Sequence, residues 1–379
     1  MNVLFVTFWY PTKEFPNKGI FIREHALALS SLNNVVVFHV NLKQARHLFK
    51  HEIKVKSNQD NMITIEFSIS SLFYKFFYYF SPFFNKIFYK QFKKNLPNCF
   101  TPEIIHGNVI FPAGILTRFI ARKFNIPFVI SEHWSNSTKF LKSHFFGICG
   151  KRAYNDALRI FPVSHFLKNK IEPFIKDRNK LIVIPNVADN HIFNYVKKNN
   201  VSDSIQFIAV ASWQKTKNFA KRPDIMIQAL SEFQKHTNKK VVLHIVGNGD
   251  LIEWMKQESE QVGIKMKFHG FVSKEELAIL FHKTDYLIHA TNVETFSLVV
   301  AEALMTGTPV IASKVGAIPE LVSKTCGVLV DNDLNNWIKG LSLLTKTKFD
   351  HKKIHSMFQQ KFSTEIISKQ ITAAYQKVS

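Results

Sequence analysis

The chain has 379 residues, of which 46% are apolar, so it is long enough to bury more than one hydrophobic core. Its formal net charge of +22 favours anionic partners such as nucleic acid, acidic lipid headgroups or phosphorylated substrates. Its three cysteines are widely spaced, which excludes a disulfide framework or a Cys/His zinc site and indicates a reducing compartment.

The start of the chain is apolar but does not look like a targeting segment. Met1–Tyr10 lacks the basic n-region and the small-residue cleavage site of a secretory signal. We therefore expect a first buried strand there. Because no run of about 18 uncharged apolar residues occurs, we also expect no membrane-spanning helix.

Short β-branched runs alternate with amphipathic segments, which predicts parallel sheets with crossover helices. Predicted helices of the first half include Ile20–Leu32 and Ala113–Phe124, and Asn186–Phe193 is interpreted as an interdomain connection. The predicted strands of this half are Val3–Thr7, Val35–Val40, Ile63–Phe67, Ile104–His106, Phe128–Ser131, Arg159–Val163 and Leu181–Ile184.

An aromatic and basic segment follows the third predicted strand. Ser71–Leu96 contains twelve aromatic residues and five lysines but no acidic residue, and Pro82 divides it into two helical pieces. This composition is typical of an interfacial helix among anionic headgroups, so Phe73–Lys94 is a candidate membrane surface. A helix pair packed on the first sheet is the alternative. Stacking on single-stranded nucleic acid is a third interpretation, but no nucleic-acid motif supports it, and we expect no nucleic-acid partner.

The second half repeats the same alternation, starting with a strand over Ile205–Ala211. Two doubly wound domains in tandem present the carboxyl ends of their strands to a shared cleft, where loops and helix starts converge. The further predicted elements are the helices Pro223–Lys235, Leu251–Gln261, Lys274–His282, Ser297–Thr306 and Ser363–Lys377, and the strands Val241–Val246, Met266–His269, Tyr286–His289 and Pro309–Ala312.

The segment NVETFSLVVAEALMTGTPVIASKVGAIPE is the most informative for chemistry. Glu294 precedes a predicted helix, and Glu302 lies between one and two turns into it. Ser297 is the candidate N-cap, and the free N–H groups around Phe296, Ser297 and Leu298 form an anion site. A carboxylate, a row of amides and a second carboxylate suit a sugar, a diphosphate and a ribose diol in succession. The alternative is two solvated glutamates on a surface helix.

This string resembles the donor-binding signature of the retaining glycosyltransferases of family 4, which have the GT-B fold. Further segments are similar to motifs of the same family in the same order: Trp9–Pro11, Gly19–Phe21, Glu132–His133, Ile184–Asp189, Lys221–Asp224, Val246–Asp250 and His269–Val272.

The resemblance implies two Rossmann-like α/β domains facing across a cleft, an acceptor domain over residues 1–187 and a nucleotide-sugar domain over residues 188–362. A C-terminal helix over residues 363–379 is expected to return toward the first domain. The implied activity is transfer of a sugar from a nucleoside diphosphate sugar to a glycan or lipid-linked acceptor with retention, as in bacterial surface polysaccharide or glycolipid synthesis. We expect a cytoplasmic enzyme held peripherally on the inner face of the membrane.

The resemblance and the needs of the chemistry assign roles to individual residues. His133 is expected to contact the sugar or acceptor, Lys221 to stabilise the leaving diphosphate, and Glu294 to accept from the transferred sugar. Where many members carry an Arg beside the first strand of the second domain, this chain has Ser212, so nearby lysines are candidates to replace that cation. The expected donor-binding residues are Gly19, Lys215, Lys217, Gly247, Phe296, Ser297, Leu298 and Glu302.

We expect no metal or other cofactor. The string Asp331-Asn332-Asp333 has the letters of a metal-binding DxD, but it follows a late strand and is interpreted as a turn. Single residues also have plainer interpretations: His133 as a structural histidine, Lys221 as an exposed charge and Gly19 as an ordinary turn glycine. Two other functions stay open, a GT-B sugar-nucleotide epimerase and an inactive basic binding protein, and donor turnover distinguishes them.

Overall fold

The computed structural model of the chain describes residues 1–57, 62–198, 203–215 and 220–376. These residues form two compact α/β units. The first unit combines Met1–Val187 with the C-terminal segment that begins at Thr364, and the second spans Ala188–Ser363.

A seven-stranded sheet forms the centre of the first unit. Its strands are β1 (Asn2–Thr7), β2 (Asn34–Gln44), β3 (Lys50–Ser57), β4 (Ile63–Ser71), β5 (Ile104–Asn108), β6 (Phe128–Glu132) and β7 (Arg159–Pro162). They lie in the order β3-β4-β2-β1-β5-β6-β7, and all neighbours are parallel except β3 and β4. The inner strands β1, β2 and β5 are almost entirely buried, as their continuous apolar runs require in a sheet covered on both faces.

Helices connect these strands: α1 (Ile20–Ser30), α2 (Tyr74–Tyr79), α3 (Asn85–Asn95), α4 (Ile115–Phe124), α5 (Ser137–Lys142), α6 (Phe145–Asp156) and α7 (His165–Ile171). Short single-turn helices cover Ser81–Phe84, Glu172–Phe174 and Arg178–Lys180, and a π-type turn covers Ile110–Gly114.

A six-stranded parallel sheet forms the centre of the second unit. Its strands are β8 (Ser204–Val210), β9 (Lys240–Val246), β10 (Lys265–Gly270), β11 (Tyr286–His289), β12 (Val310–Ser313) and β13 (Gly327–Val330). They lie in the order β10-β9-β8-β11-β12-β13. The helices are α8 (Pro223–Lys235), α9 (Ile252–Val262), α10 (Lys274–Lys283), α11 (Leu298–Met305), α12 (Ile318–Leu321), α13 (Leu334–Lys346) and α14 (His351–Phe362).

The last helix, α15 (Thr364–Gln376), packs into the core of the first unit. Its residues Ile367, Ile371 and Tyr375 recur every fourth position, lie on one face and are at most 1% exposed. They join a cluster that includes Ala26 and Leu29 of α1. Because each such side chain contributes about 1.5–3 kcal/mol on burial, this contact holds the end of the chain on the first unit.

Two expectations about strands need correction. The predicted strand Leu181–Ile184 runs beside β7 but is not a regular strand. Leu181 forms an isolated bridge with Ile160, and the Ile182 and Ile184 N–H groups donate to the Ile160 and Pro162 carbonyls at 3.0 and 3.1 Å, which is too few pairs for a continuous ladder. The sequence pattern also missed β3, an edge strand whose residues are mainly polar and which pairs antiparallel with β4.

Candidate functional site

The strand order of the second unit creates a switch point between β8 and β11. The chain leaves β8 toward β9 on one side of the sheet and leaves β11 toward β12 on the other. Loops that diverge in this way leave a crevice at the carboxyl edge of a parallel sheet, which is where such sheets bind ligands. The loops that follow these two strands carry Lys221 and Glu294.

Backbone pairing fixes these two loops against each other. Lys221 forms an isolated antiparallel bridge with Thr291. The adjacent Arg222 N–H donates to the Ala290 carbonyl at 3.0 Å, and the Asn292 N–H donates to the Ala220 carbonyl at 2.9 Å. The segment before α8 therefore runs beside the segment after β11, which brings the two charged side chains together.

The Glu294 carboxylate has two partners on one oxygen. The Lys221 ammonium donates to Oε1, and the Nε2 atom of His289 lies 3.2 Å from the same atom. The side chains of Lys221 and Glu294 are only 22% and 16% exposed. The three residues form a mostly buried charged cluster at the switch point.

Burial and charge act in opposite directions on this cluster. Burial by itself would raise the pKa of Glu294, but the positive charge of Lys221 and the hydrogen bonds from His289 and Lys221 outweigh it and lower that pKa to about 2. Burial, followed by the charge of Lys221, lowers the pKa of His289. Glu294 is thus ionised and His289 neutral at pH 7.

The start of α11 differs from the expected cap. Ser297 stands at the N-cap position, but its side chain makes no capping hydrogen bond, which corrects the prediction of a side-chain cap. Its backbone has φ 74°, a left-handed conformation, and its Oγ lies 3.3 Å from His289 Nε2. Phe296 is buried against Phe362. Because α11 begins at Leu298, the amide groups of its first turn have no acceptor within the helix.

Glu302 lies on α11, past its first turn, and is only 8% exposed. Together with the small exposure of Glu294, this burial excludes the alternative of two solvated glutamates on a surface helix. A buried carboxylate needs partners that offset its loss of hydration. Its contact with a ribose remains a prediction.

Gly247 at the end of β9 is required by close backbone packing. Its φ is 107°, and a Cβ there would lie 1.9 Å from the Ala211 carbonyl oxygen. The packing fixes the segment after β8, in which Ser212 stands. Lys215 lines a depression of about 350 Å³ together with Pro223, Asp224, Asp250, Leu251 and Trp254. Lys217 lies outside the described residues.

The string Asp331-Asn332-Asp333 forms a structural turn after β13. Asp333 caps α13 by accepting from the Asn336 N–H. The Asn332 side chain accepts from the Ser313 hydroxyl at 2.6 Å and donates to the Thr291 carbonyl at 2.8 Å.

His133 follows β6 at the carboxyl edge of the first sheet. It is 6% exposed and packs against Phe21 and His25, with ring centroids 4.6 and 5.5 Å away. Burial, and then the neighbouring His25 and His106, lower its pKa well below the usual value, so the ring is neutral. Within the described part of the chain, neither ring nitrogen has a partner in hydrogen-bonding geometry, although both are buried.

Glu132 organises the turn that carries His133. Its Oε1 accepts from the His133 and Trp134 N–H groups at 2.9 and 2.8 Å, and its Oε2 accepts from the Ile110 N–H and the Tyr154 hydroxyl at 3.0 and 2.6 Å. The carboxyl is fully buried. It ties the end of β6 to the turn after β5 and to α6.

Gly19, at the start of α1, has φ 69°. A Cβ there would lie 2.3 Å from the Trp9 carbonyl oxygen, so the packing of two backbone segments already demands glycine. The expected role of Gly19 in donor binding, which is to let the loop backbone approach the phosphates of the donor, stays a prediction.

Sequence models of two glycosyltransferase families match the two halves of the chain. The model described as Glycosyltransferase Family 4 matches residues 19–191, and the model described as Glycosyl transferases group 1 matches residues 193–356. The chain belongs to the family 4 glycosyltransferases.

Individual relatives and solved structures agree with this assignment. An uncharacterised glycosyltransferase of Methanocaldococcus jannaschii is 24% identical over 298 residues, which cover 76% of this chain and 78% of that protein. An alpha-monoglucosyldiacylglycerol synthase of Streptococcus pneumoniae is 22% identical over 294 residues, which cover 72% of this chain and 66% of that protein.

Among solved structures, sucrose-phosphate synthase from Thermosynechococcus elongatus matches with a TM-score of 0.75 at 18% identity, covering 99% of this chain and 98% of that one. HepE of Anabaena in complex with UDP matches with a TM-score of 0.71 at 16% identity, covering 100% of both chains. The expected GT-B fold is confirmed, and the chain is a glycosyltransferase.

The aromatic segment of this glycosyltransferase is partly core and partly surface. Phe88 and Phe92 of α3 are fully buried, whereas Phe76, Tyr79 and Phe83 are 50%, 58% and 62% exposed. All five lysines of the segment are exposed: Lys75, Lys86, Lys90, Lys93 and Lys94. Among the described residues, no helix combines the length and the hydrophobicity that crossing a bilayer requires.

Sequence reasoning missed His289 and the role of Glu132. The only signal for His289 was a single polar residue at the end of the apolar strand β11. Glu132 stood in the family motif beside His133, but two of the four hydrogen bonds to its carboxylate come from Ile110 and Tyr154, each 22 residues away in the sequence.

Proposed function

We propose that this glycosyltransferase moves a sugar from a nucleoside diphosphate sugar to a glycan or lipid-linked acceptor with retention of anomeric configuration. The observation that carries the proposal is the mostly buried pair of Lys221 and Glu294 beside the start of α11. A cation, a carboxylate and the amide groups of a helix start at a switch point are the groups that a sugar diphosphate needs.

Lys221 and the first amides of α11 would stabilise the leaving diphosphate. Negative charge grows on the diphosphate oxygens in the transition state, and donors that are already in place stabilise it without reorganisation. The mostly buried position of Lys221 strengthens its charge interactions relative to water. This arrangement supports transfer without a metal ion or other cofactor, which we include in the proposal.

The two glutamates would recognise different parts of the donor. Glu294 would accept from hydroxyls of the transferred sugar and Glu302 from the ribose diol, because ionised carboxylates are strong acceptors for paired hydroxyls. The backbone near Gly247, together with Lys215 and Lys217, would contribute to donor binding on the β8–β9 side.

His133 would contact the sugar or the acceptor. Its ring is neutral, so it can donate from one nitrogen and accept at the other. For retention, the acceptor hydroxyl attacks the anomeric carbon on the face from which the diphosphate departs. The bond to the diphosphate breaks as the new bond forms, and the acceptor proton passes to the departing oxygen.

The acceptor is proposed to be presented at the cytoplasmic face of a membrane, in bacterial surface polysaccharide or glycolipid synthesis. The exposed aromatic side chains and lysines of Phe73–Lys94 supply an apolar and a basic contribution to binding an anionic surface. The similarity to the alpha-monoglucosyldiacylglycerol synthase of Streptococcus pneumoniae supports a lipid-linked acceptor. HepE structures with UDP and with UDP-glucose support a nucleotide-sugar donor.

A donor screen tests the proposal. Thermal shifts with UDP-, GDP- and ADP-sugars are expected to single out one nucleotide class, and that donor should release its nucleoside diphosphate when an acceptor is supplied. Binding without release would indicate an inactive binding protein. Conversion of the donor sugar to its epimer without transfer would indicate a sugar-nucleotide epimerase.

A further inference from the structure

His289 is a buried histidine at the last position of β11. It is 4% exposed and follows the apolar residues Leu287 and Ile288. A polar ring in such a place is costly unless its nitrogens are hydrogen-bonded. Its Nε2 atom lies 3.2 Å from Glu294 Oε1 and 3.3 Å from Ser297 Oγ, so the ring faces the charged cluster at the switch point.

The direction of these hydrogen bonds follows from the acceptor. An ionised carboxylate can only accept, so the contact with Glu294 requires that Nε2 carry the hydrogen. The lowered pKa of His289, caused by burial and the charge of Lys221, agrees with a neutral ring that has this one tautomer. The Ser297 oxygen is a second acceptor for the same N–H.

Ser297 gives independent support for the pairing. Its φ of 74° is a conformation that glycine adopts without strain and that other residues disfavour. The chain thus accepts backbone strain at this position and places a hydroxyl beside His289.

Lys221 and His289 share a single carboxylate oxygen, and the proposed chemistry asks Lys221 to act elsewhere. Its ammonium donates to Glu294 Oε1. If Lys221 turns toward a diphosphate, its hydrogen bond to Glu294 weakens. A mostly buried carboxylate that is left without a hydrogen-bond donor is strongly disfavoured. A second, fixed hydrogen-bond donor to Oε1 avoids this cost.

We propose that His289 is a positioning residue of the donor site, which holds the Glu294 carboxylate in place while Lys221 engages the leaving diphosphate. This inference rests on the proposed function. His289 is then needed so that Lys221 can bind the diphosphate while Glu294 binds the sugar, although the imidazole itself need not touch the sugar.

The test compares side chains that differ in their reach. In His289→Gln the amide nitrogen can take the place of Nε2, in His289→Asn it falls short, and His289→Leu has no donor. His244→Leu is the matched control, because His244 is a buried histidine of the same unit that contacts Gln206 and His269 instead. The probes are UDP-glucose, UDP-N-acetylglucosamine and GDP-mannose, and kinetics use the one that the wild-type enzyme turns over.

We expect His289→Leu and His289→Asn to raise the donor KM and lower kcat, with a combined loss in kcat/KM of about tenfold or more. His289→Gln should retain most of the activity, and His244→Leu should leave both constants near wild type. Equal kinetics for Gln and Asn, or wild-type constants in either Asn or Leu, would overturn the inference. If Leu fails to fold, the Gln and Asn pair still decides the question. Wild-type enzyme that turns over no donor would instead contradict the proposed function itself, and the inference with it.

Discussion

The Lys221 ammonium pairs with the Glu294 carboxylate across 73 residues of sequence. The pair exists because β8 and β11 are neighbours in the sheet and the loops after them are joined by backbone hydrogen bonds. A cation and an anion held together in a mostly buried place form a site that a charged ligand can enter by exchanging partners.

Replacing Glu302 should weaken donor binding. Glu302→Ala removes acceptors for the two ribose hydroxyls, and hydrogen bonds to a charged group are worth about 1.5–3 kcal/mol. We expect the donor Kd, measured by calorimetry, to rise roughly tenfold or more. Glu260→Ala, at an exposed position on α9, is the control. Unchanged affinity in folded Glu302→Ala would remove this residue from the site.

Replacing Lys221 should affect turnover more than binding. The diphosphate gains charge mainly in the transition state, so Lys221→Ala is expected to lower kcat by a larger factor than it raises the Kd of the intact donor. Lys235→Ala, an exposed lysine of α8 paired with Glu232, is the matched control. If kcat holds in Lys221→Ala, another cation such as Lys215 or Lys217 carries the role.

Chelation should leave the reaction intact. If lysine and amide groups balance the diphosphate charge, sugar transfer measured after dialysis against EDTA should match the rate before it. Added Mg²⁺ or Mn²⁺ should change that rate little. A strict requirement for a divalent ion would contradict the metal-independent proposal.

His25 should make the first unit sensitive to acid. Burial lowers the pKa of His25 to about 4, while its bond to the Pro185 carbonyl opposes the shift. Between about pH 6.5 and pH 4 the His25 ring is protonated in the unfolded chain but neutral in the folded chain. The free energy of unfolding should therefore fall as the pH falls through this window, by at most about 1.4 kcal/mol per pH unit from this residue.

Urea unfolding at several pH values measures this slope. His25→Gln keeps an N–H for the Pro185 carbonyl but cannot titrate, so its slope should be smaller. Some slope should remain, because the pKa values of His106 and His133 are also lowered by burial. His236→Gln, at an exposed position, should behave like wild type. An identical slope in His25→Gln would show that His25 does not titrate in this window.

The aromatic and basic segment should bind anionic membranes. Each lysine near an anionic surface contributes about 1 kcal/mol, so the enzyme should cosediment with vesicles containing phosphatidylglycerol but not with pure phosphatidylcholine. High salt should weaken the binding because it screens the charges. A variant in which glutamine replaces the five exposed lysines of the segment should lose vesicle binding. These lysines are Lys75, Lys86, Lys90, Lys93 and Lys94.

A matched variant separates position from net charge. It replaces five exposed lysines of the second unit by glutamine, Lys346, Lys348, Lys352, Lys353 and Lys361, and it should keep vesicle binding. If the wild-type enzyme binds neutral vesicles as well as anionic ones, or binds neither kind, the segment is better interpreted as a packed helix pair. A soluble acceptor would then be favoured.

The sequence by itself determined the alternation of strands and helices, and with it the fold class. The strand Tyr286–His289 has the bounds that its pattern predicts, because a buried parallel strand is a continuous apolar run and that signal is local. The string from Glu294 to Glu302 identified the family for the same reason, since the loop and helix it forms are contiguous in the chain. The sequence did not predict the irregular pairing at Leu181 or the polar edge strand β3. In both cases the neighbouring strand, rather than the residues of the segment itself, determines whether a strand forms.

Only the tertiary structure decided which distant groups meet. It placed His289 and Lys221 on one oxygen of Glu294, and it brought the Tyr375 hydroxyl of α15 to 2.6 Å from His106. Such contacts depend on the order of strands in the sheet and on where each helix packs. Many sheet orders are compatible with the same local periodicity, and the burial of whole elements selects among them, so side-chain pairs between remote segments cannot be read from the pattern of either segment alone.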